Sequence, residues 1–429
     1  MLENSKKNLT IHSLIEFACI YFLIFIPGGY QMNAYSGVLI MSMLLILSIV
    51  VFFKGAFKGN TITVQSEGLA CISVIVACFI ISSMLNGENG KQMTINIGFF
   101  LAAYVFSIYY SKNVYDYVER FVTLMYFLCV YSLIIWTLYH IAPFIIERLP
   151  RVVNSKGRVA YNAIFCTIYN NAGHIRNQGI FWEPGAFQTF INFALIFNLF
   201  LIKKKIKKYT IVFAIALVTT FSTMGFVVGF FCAFTYSISL FISTDEKHKK
   251  KVTILLVIFF IIFVFLVFYN NLSNQMKHQL FGKVANFFES FDVTSYDISK
   301  KTINRTSTSV RFDAFFKPFS IFNSNAIFGA GIDALDATGE RLNYLNVCTF
   351  VNWIVAYGSI VGFILIFGLY KFCCCLHKNK FIRVLIFIIM LLAISSEDYK
   401  RNPSIILYSF LGYSIKYNTE FLEKKNEDY

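Results

Sequence analysis

The chain has 429 residues, of which 57% are hydrophobic and only 14% are charged. Soluble domains carry about 25% charged residues, so this composition excludes a soluble globular domain, a disordered chain and a secreted disulfide scaffold. A bilayer-spanning helix uses ~20 mostly apolar residues, which makes this supply sufficient for about twelve spans. The sequence therefore predicts an all-α, polytopic integral membrane protein.

Apolar stretches of helical length follow one another along most of the chain. The stretch 209–242 is too long for one span, and the residues TTFSTMG (219–225) predict a tight helical hairpin within it. We predict helices at 11–29, 36–53, 67–85, 94–111, 119–143, 184–202, 209–222, 224–242, 252–270, 346–370, 382–395 and 403–417.

The net charge of +15 comes from lysines and arginines that lie mostly between the apolar runs. Such residues favour the cytoplasmic side of a membrane and neighbouring anionic lipid headgroups, so we expect no nucleic-acid partner. The lysine-rich clusters at 203–208 and 247–251 both lie on the cytoplasmic side if both termini are cytoplasmic. We therefore predict cytoplasmic termini and two long outer loops, at 144–183 and 271–345.

The first long loop ends in HIRNQGIFWEPGAF (174–187), which contains several candidate functional residues. Glu183 precedes Pro184 at the start of a helix, so it is either a helix-start device or a carboxylate at the mouth of an outward cavity. Arg176 is either an interfacial side chain or a phosphate ligand, for which its planar donor fork is suited. His174 is a third polar candidate.

The second long loop contains two amphipathic stretches. Residues 273–291 predict a helix lying on the outer leaflet. In 307–322 the phenylalanines mark one face, and Arg311 falls outside it, where it is placed to hold a lipid phosphate. In the sequence AIFGAGID (326–333), Gly329-Ala330-Gly331 lets the backbone approach another group closely or turn tightly, and a small anion-binding nest is a further alternative.

The last outer loop, SSEDYKRNP (395–403), crowds Glu397, Asp398, Lys400 and Arg401 into a short turn. These charges either pair with one another or form part of a site that faces phosphate or catalyses a reaction. No two histidines have metal-ligand spacing, and the ten cysteines have none either, so we predict no metal and no cofactor.

Taken together, these features resemble the Wzy-type polymerases of O-antigen and capsule repeat units, within the O-antigen ligase/polymerase superfamily. The resemblance covers most of the chain in layout. Its local matches are GIFWEPGAF after Arg176, the TTFSTMG hairpin, the Ser307-to-Arg311 spacing, FGAGID followed by VAYGSIVGF (355–363), and a late outer carboxylate and proline.

The resemblance implies a GT-C-like fold in the bacterial inner membrane and an enzyme that transfers oligosaccharide repeat units from undecaprenyl diphosphate, without metal. It further implies a flippase and a chain-length regulator as possible partners. On this reading Arg176 and Arg311, followed by Arg401 and Arg158, bind the substrate diphosphate. The catalytic base is Glu183, with Glu397 as second choice.

One departure from the family concerns the residues after the second long loop. Related ligases carry a histidine at the outer start of the next span, whereas this chain reads YLNVCTFVNW (344–353). His174 is a possible substitute. The identity of the base therefore stays open, and polymerase activity is favoured over ligase activity. A flippase or other transporter of lipid-linked oligosaccharides is the alternative from a different class.

The orientation can be tested with reporter fusions at residues 206 and 300. We expect the two fusions to report opposite sides of the membrane, with residue 206 cytoplasmic, because the intervening charges follow the positive-inside distribution. Alkaline phosphatase and green fluorescent protein activities measure this directly. A same-side result contradicts the predicted topology.

Overall fold

A computed structural model describes residues 11–57, 64–154, 157–171, 174–202, 206–243, 298–299, 301 and 307–415. The predicted helices within these ranges are confirmed to within a few residues, whereas 252–270 and 273–291 lie outside them. The helices are α1 (Ile11–Gly28), α2 (Gly37–Phe57), α3 (Ser66–Asn86), α4 (Gly90–Ser111), α5 (Val114–Ile141), α6 (Pro143–Ile146), α7 (Pro184–Phe197), α8 (Ile206–Thr220), α9 (Thr223–Ser243), α10 (Ser307–Phe316), α11 (Ile332–Leu342), α12 (Thr349–Cys374), α13 (Lys380–Ile394) and α14 (Pro403–Ser414). A π-helical turn, Asn198–Ile202, continues α7.

Six of the described helices are long and apolar enough to cross a membrane. Large apolar side chains on them, such as Met84, Ile134 and Phe363, are more than half exposed. Exposed apolar surface of this kind is typical of a face that contacts lipid. The chain is therefore a multi-pass, all-α membrane protein, while the number of spans and the GT-C-like arrangement stay predictions.

The turns that connect the helices gather at two ends of the bundle. At one end Lys371 Nζ lies 2.5 Å from Glu67 Oε2, and Ser239 Oγ lies 2.8 Å from His377 Nε2. At the other end the hydroxyl of Tyr30 donates to the carbonyl of Arg158 at 2.8 Å. We call these the lysine end and the loop end. The loop end contains the described parts of both predicted outer loops and the 395–402 turn.

Helix α7 is enclosed by other helices along its length. Its polar side chains hydrogen-bond inside the protein: Gln188 Nε2 donates to Ser396 Oγ at 2.7 Å, and Asn192 Nδ2 donates to Gln188 Oε1 at 2.9 Å. In a low-dielectric interior such bonds are strong and fix relative positions. The first turn of α7, with Glu183 before it, is thereby held in place.

The first long loop contains two small antiparallel sheets that the sequence did not predict. Strands β1 (Arg151–Val153), β2 (Val159–Asn162) and β3 (Thr167–Ile168) form one sheet, and β4 (Asn170–Asn171) and β5 (His174–Ile175) form the other. Strands of two to four residues are too short to show an alternating pattern. The first long loop therefore has a regular structure of its own at the loop end.

Helix α12 is broken at Gly358, which has φ 90° and ψ 162°. An extended segment of the second loop fills the break: Ala330 N donates to Val355 O at 2.9 Å and Gly331 N donates to Ala356 O at 3.1 Å. Inside a membrane protein, backbone groups freed by a break need such partners. The close backbone approach predicted at 329–331 is therefore confirmed, whereas the anion-binding nest is wrong, because the amides of Ala330 and Gly331 bind carbonyl groups of α12.

Substitution of Gly329 by alanine tests the close approach at this break. A Cβ there would overlap the carbonyl oxygen of Ala356, and the residue also has a positive φ of 88°. Gly87 is the matched control, since it too has a positive φ (62°), but a Cβ at Gly87 would meet no atom within 4 Å. We expect Gly87→Ala to cost on the order of 1 kcal/mol of stability.

Gly329→Ala should lower the melting temperature of the detergent-purified protein clearly more than Gly87→Ala does. Both glycines have a positive φ, so both variants lose stability from the left-handed backbone. The difference between their melting temperatures therefore measures the effect of the steric overlap alone. Equal melting temperatures would contradict the tight packing of the second loop against α12.

Candidate functional site

Two glutamates from distant parts of the chain meet at the loop end. The carboxyl group of Glu397 lies against Gly185, two residues after Glu183, and Glu183 is near enough to shift the pKa of Glu397. Glu397 is buried, with 8% of its surface exposed, while Glu183 is partly exposed. Burial, and then the neighbouring Glu183, raise the pKa of Glu397 well above its usual range. The raised pKa favours the protonated form of Glu397, whose carboxyl group can then donate a hydrogen bond to a neighbouring acceptor.

The first turn of α7 brings the carboxyl groups together. Glu183 is the N-cap residue and Pro184 opens the helix, so the predicted helix-start position is confirmed, although the Glu183 side chain makes no capping hydrogen bond. Glu397 lies directly against Gly185, where any Cβ would overlap Oε1 of the carboxyl group. The positive end of the helix dipole is at this turn and favours negative charge beside it.

The turn that carries Glu397 is anchored on both sides. On one side, Thr349 Oγ1 at the start of α12 donates to Glu397 O at 2.7 Å and accepts from Tyr399 N at 2.8 Å. On the other side, the Tyr399 hydroxyl donates to Ala186 O at 3.3 Å. These contacts join α12 and α7 through the turn, so Glu397 has little freedom to move away from Glu183.

Arg176 is held by the predicted TTFSTMG hairpin, which the structure confirms between α8 and α9. Its Nε donates to Thr220 O at 2.8 Å and its Nη2 donates to Phe221 O at 3.0 Å. These carbonyl groups are at the negative end of α8, where a cation is stabilised. Burial lowers the pKa of Arg176, while Glu183 acts to raise it. The Nε–Nη2 edge of the guanidinium is thus used in hydrogen bonds to the hairpin.

Arg311, on α10 of the second long loop, is the second cation beside the carboxyl pair. Burial lowers its pKa, and Glu397 followed by Glu183 act in the opposite direction. Arg176 and Arg311 also influence each other as like charges. Two positive charges therefore face a carboxyl pair that carries one negative charge when it holds one proton. The surplus positive charge suits an anionic ligand.

A cavity of about 170 Å³ opens beside Glu183 and Arg176. The structure places the predicted Arg158 in its wall as well. The wall also contains residues that the sequence did not single out: Tyr30, Asn154, Tyr169, Gln178, Trp182 and Pro184. Trp182 and Pro184 belong to the GIFWEPGAF motif, but nothing in the sequence links Tyr30, in the α1–α2 turn, to this loop.

The remaining predicted residues lie elsewhere or are not described at the side-chain level. Arg401 Nε donates to Asn96 Oδ1 at 2.7 Å and its Nη2 donates to Gln92 Oε1 at 2.8 Å, so it is bound to α4 and does not line the cavity. The backbone of His174 belongs to β5, but its side chain lies outside the described part of the structure.

The charges of the last turn do not form one cluster. Lys400 is buried and lies 2.5 Å from Asp398 and 3.4 Å from Asp336 of α11. Burial lowers the pKa of Lys400, but the two aspartates outweigh this and raise it above its usual value. This ion pair fastens α11 to the turn, whereas Glu397 points to the carboxyl pair and Arg401 to α4.

Metal ligation has no visible basis among the described residues, where no three His, Cys, Asp or Glu side chains are grouped. The arrangement instead combines two carboxyl groups, one of them with a raised pKa, and two arginines near a cavity. Groups of this kind accept a proton from a hydroxyl group and stabilise an anionic leaving group.

The raised pKa of Glu397 predicts a pH dependence of stability. A carboxyl group with a raised pKa in the folded state contributes stability below its unfolded pKa of about 4.3. That contribution is lost as the pH rises through the folded pKa. We expect wild-type protein to lose thermal stability relative to Glu397→Gln, whose amide cannot ionise, as the pH rises from about 4.3 through neutrality.

Thermal unfolding in detergent across this pH range measures the difference, with Glu340→Gln, at an exposed position of α11, as the control. A difference between wild type and Glu397→Gln that does not change with pH contradicts the raised pKa of Glu397. The control should follow the wild-type profile.

Comparison of the chain with protein-family models, curated proteins and solved structures finds no match.

Proposed function

We propose that the protein polymerises oligosaccharide repeat units carried on a lipid diphosphate, undecaprenyl diphosphate, at the outer face of the bacterial inner membrane. The observation that carries this proposal is that Glu183 and Glu397 interact electrostatically with Arg176 and Arg311 at the edge of a cavity. A glycosyl transfer from a lipid diphosphate needs one proton acceptor and fixed positive charge, and this site contains both.

In the proposed step, the hydroxyl oxygen of the acceptor repeat unit attacks the anomeric carbon of the donor. The bond between that carbon and the phosphate oxygen breaks, and a new glycosidic bond forms. Glu183 accepts the hydroxyl proton, while the electron pair of the broken bond leaves on the diphosphate. Arg311, together with the edge of Arg176 not bound to the hairpin, stabilises this developing negative charge.

The asymmetry of the carboxyl pair assigns different roles to its members. Glu397 keeps its proton and donates to Glu183, which orients Glu183 toward the cavity. Glu397 is then a positioning residue, and Glu183 is the base. This ordering supports the sequence-based preference for Glu183 with a physical reason, namely the deeper burial of Glu397.

The lipid substrate also fits the position of the site. The carboxyl pair lies at the loop end, opposite the lysine end. If the lysine end is cytoplasmic, as the positive-inside rule predicts, the site faces outward with both termini inside. A flippase and a chain-length regulator are the expected partners in such a pathway.

Deletion of the gene tests the proposal against its alternatives. We expect single repeat units to reach the outer acceptor while long polymer disappears, as measured by gel electrophoresis of surface and lipid-linked glycans. Long polymer retained on its carrier lipid would instead identify a ligase. Single units retained on the inner face would identify a flippase.

Substitution of Arg311 tests the diphosphate role. Arg311→Ala should abolish chain extension while the protein still accumulates in the membrane, and Arg311→Lys should restore little, because an ammonium group lacks the bidentate fork. Arg341→Ala, an exposed arginine of α11, is the matched control. Full polymer length in Arg311→Ala excludes this residue from the reaction.

Glu183→Gln and Glu397→Gln should behave differently. Loss of the base should reduce the rate of extension by roughly 10²–10⁴-fold in Glu183→Gln. Glu397→Gln imitates the protonated acid and should retain most of the activity. The rate of polymer formation in membranes with supplied lipid-linked units measures both. Equal losses in the two variants contradict the asymmetric assignment.

A further inference from the structure

The cavity beside Glu183 has a lining with a distinct chemical character. Three aromatic side chains, Tyr30, Tyr169 and Trp182, share it with the amide side chains of Asn154 and Gln178. Aromatic rings offer flat apolar faces, and amides and phenols offer hydrogen bonds. A sugar ring has C–H groups on its faces and hydroxyl groups at its edge, so it matches this lining.

The polar groups of the lining are fixed by hydrogen bonds within the protein. Gln178 Nε2 donates to Thr167 Oγ1 at 2.9 Å, and Asn154 Oδ1 accepts from Arg158 N at 3.0 Å. Burial, followed by the nearby Tyr169, raises the pKa of Tyr30 to about 12, so its hydroxyl stays protonated. Trp182 packs edge-on against Tyr399, with ring centroids 5.7 Å apart. The lining is therefore pre-organised.

The size of the cavity limits its ligand. At about 170 Å³ it is smaller than the ~300–1,000 Å³ of sites that enclose drug-sized ligands. A single sugar ring is suited to a space of this size. Because the cavity is open on one side, the remaining sugars of a longer ligand can extend out of it.

The charges of the lining select among sugars. Arg158 and Arg176 contribute two positive charges to the wall, and Glu183 is the single carboxylate among the described lining residues. The guanidinium of Arg158 is stacked over Tyr169, with its carbon 5.8 Å from the ring centroid, at the exposed rim. An arginine at that place can form charge-assisted hydrogen bonds with an anionic group at the edge of the ring.

We infer that this cavity binds the terminal sugar of the acceptor repeat unit and that this sugar is acidic. The inference rests on the proposed function. The ring in the cavity lies beside Glu183, so its hydroxyl is the one that Glu183 can deprotonate, which makes it the acceptor. Its carboxylate or phosphate group binds Arg158 at the rim, away from Arg311.

Binding of the repeat unit itself tests this inference. The probe is the oligosaccharide released by mild acid from its carrier lipid, which contains no diphosphate. Trp182 is one of three tryptophans, so its fluorescence in the full-length, detergent-purified protein reports binding, and Trp182→Phe should remove the response. We expect removal of the acidic group to weaken binding about tenfold or more.

Two chemical treatments show whether the negative charge of the sugar belongs to a carboxylate or to a phosphate group. Carbodiimide reduction removes a carboxylate, and phosphatase treatment removes a phosphate. Weaker binding after either treatment supports the inference and identifies the group. Unchanged binding after both treatments overturns it, as does a repeat unit that contains only neutral sugars.

The structure offers a matched pair of arginines for the same titration. Arg151 stacks over Tyr161 at 5.7 Å, as Arg158 stacks over Tyr169, but Arg151 does not line the cavity. Arg158→Gln should weaken binding of the acidic unit to the level of the neutralised unit, whereas Arg151→Gln should bind as wild type does. Equal effects of the two substitutions overturn the assignment of Arg158.

Competition by inorganic pyrophosphate separates this cavity from the diphosphate site. Pyrophosphate should displace the oligosaccharide only weakly, because the two sites share Arg176 but not Arg158, and full displacement would show that the cavity is the diphosphate site instead. Failure of the inference is also distinct from failure of the proposed function. Normal polymer after gene deletion overturns the function, while polymer loss without binding of an acidic sugar overturns the inference alone.

Discussion

The contact between the Glu397 carboxyl group and the first turn of α7 is the constraint on which the loop end depends. Gly185 has no side chain there, which lets the carboxyl group approach the helix and meet Glu183. Burial of an unpaired carboxylate raises the free energy of the folded state. Protonation of Glu397 and the nearby cations offset this penalty. Because Thr349 and Ser396 hold the same turn, the helices α7, α12 and α13 are joined at one point.

The cations reach this point from parts of the chain that are far apart. Arg176 comes from the first long loop and is fixed by carbonyl groups of the α8–α9 hairpin. Arg311 comes from the second long loop, which is tied to the bundle where Ala330 and Gly331 hydrogen-bond into the break of α12. Both loops are therefore structural parts of the site and do more than cover it. The proposed transfer reaction uses this convergence, since acceptor, leaving group and base must meet in one place.

Several elements of the site were accessible from sequence because each depends on local chemistry. Proline after Glu183 indicates a helix start, Ser, Thr and Gly at 219–225 indicate a turn, and an arginine outside a phenylalanine stripe indicates a function other than packing. Other features left no local signal. The strands of the first loop are too short for a period, and Tyr30 enters the cavity only because its amide donates to Ile180 O at 2.8 Å. The anion-binding nest was a wrong prediction. Glycines in a sequence indicate which backbone conformations are accessible, but they do not indicate which groups the backbone amides will bind.

The sequence by itself determined that this is a multi-pass helical membrane protein, where most of its helices begin and end, and which short segments are rich in functional residue types. Apolar run length and charge placement carry that information residue by residue. Only the tertiary structure decided that Glu183 and Glu397 come close enough to interact, that Arg176 and Arg311 interact with them electrostatically, and that Arg401 binds α4 instead. The physical reason is that a pKa shift and a cavity arise from distances between residues far apart in the chain, and no local pattern encodes those distances.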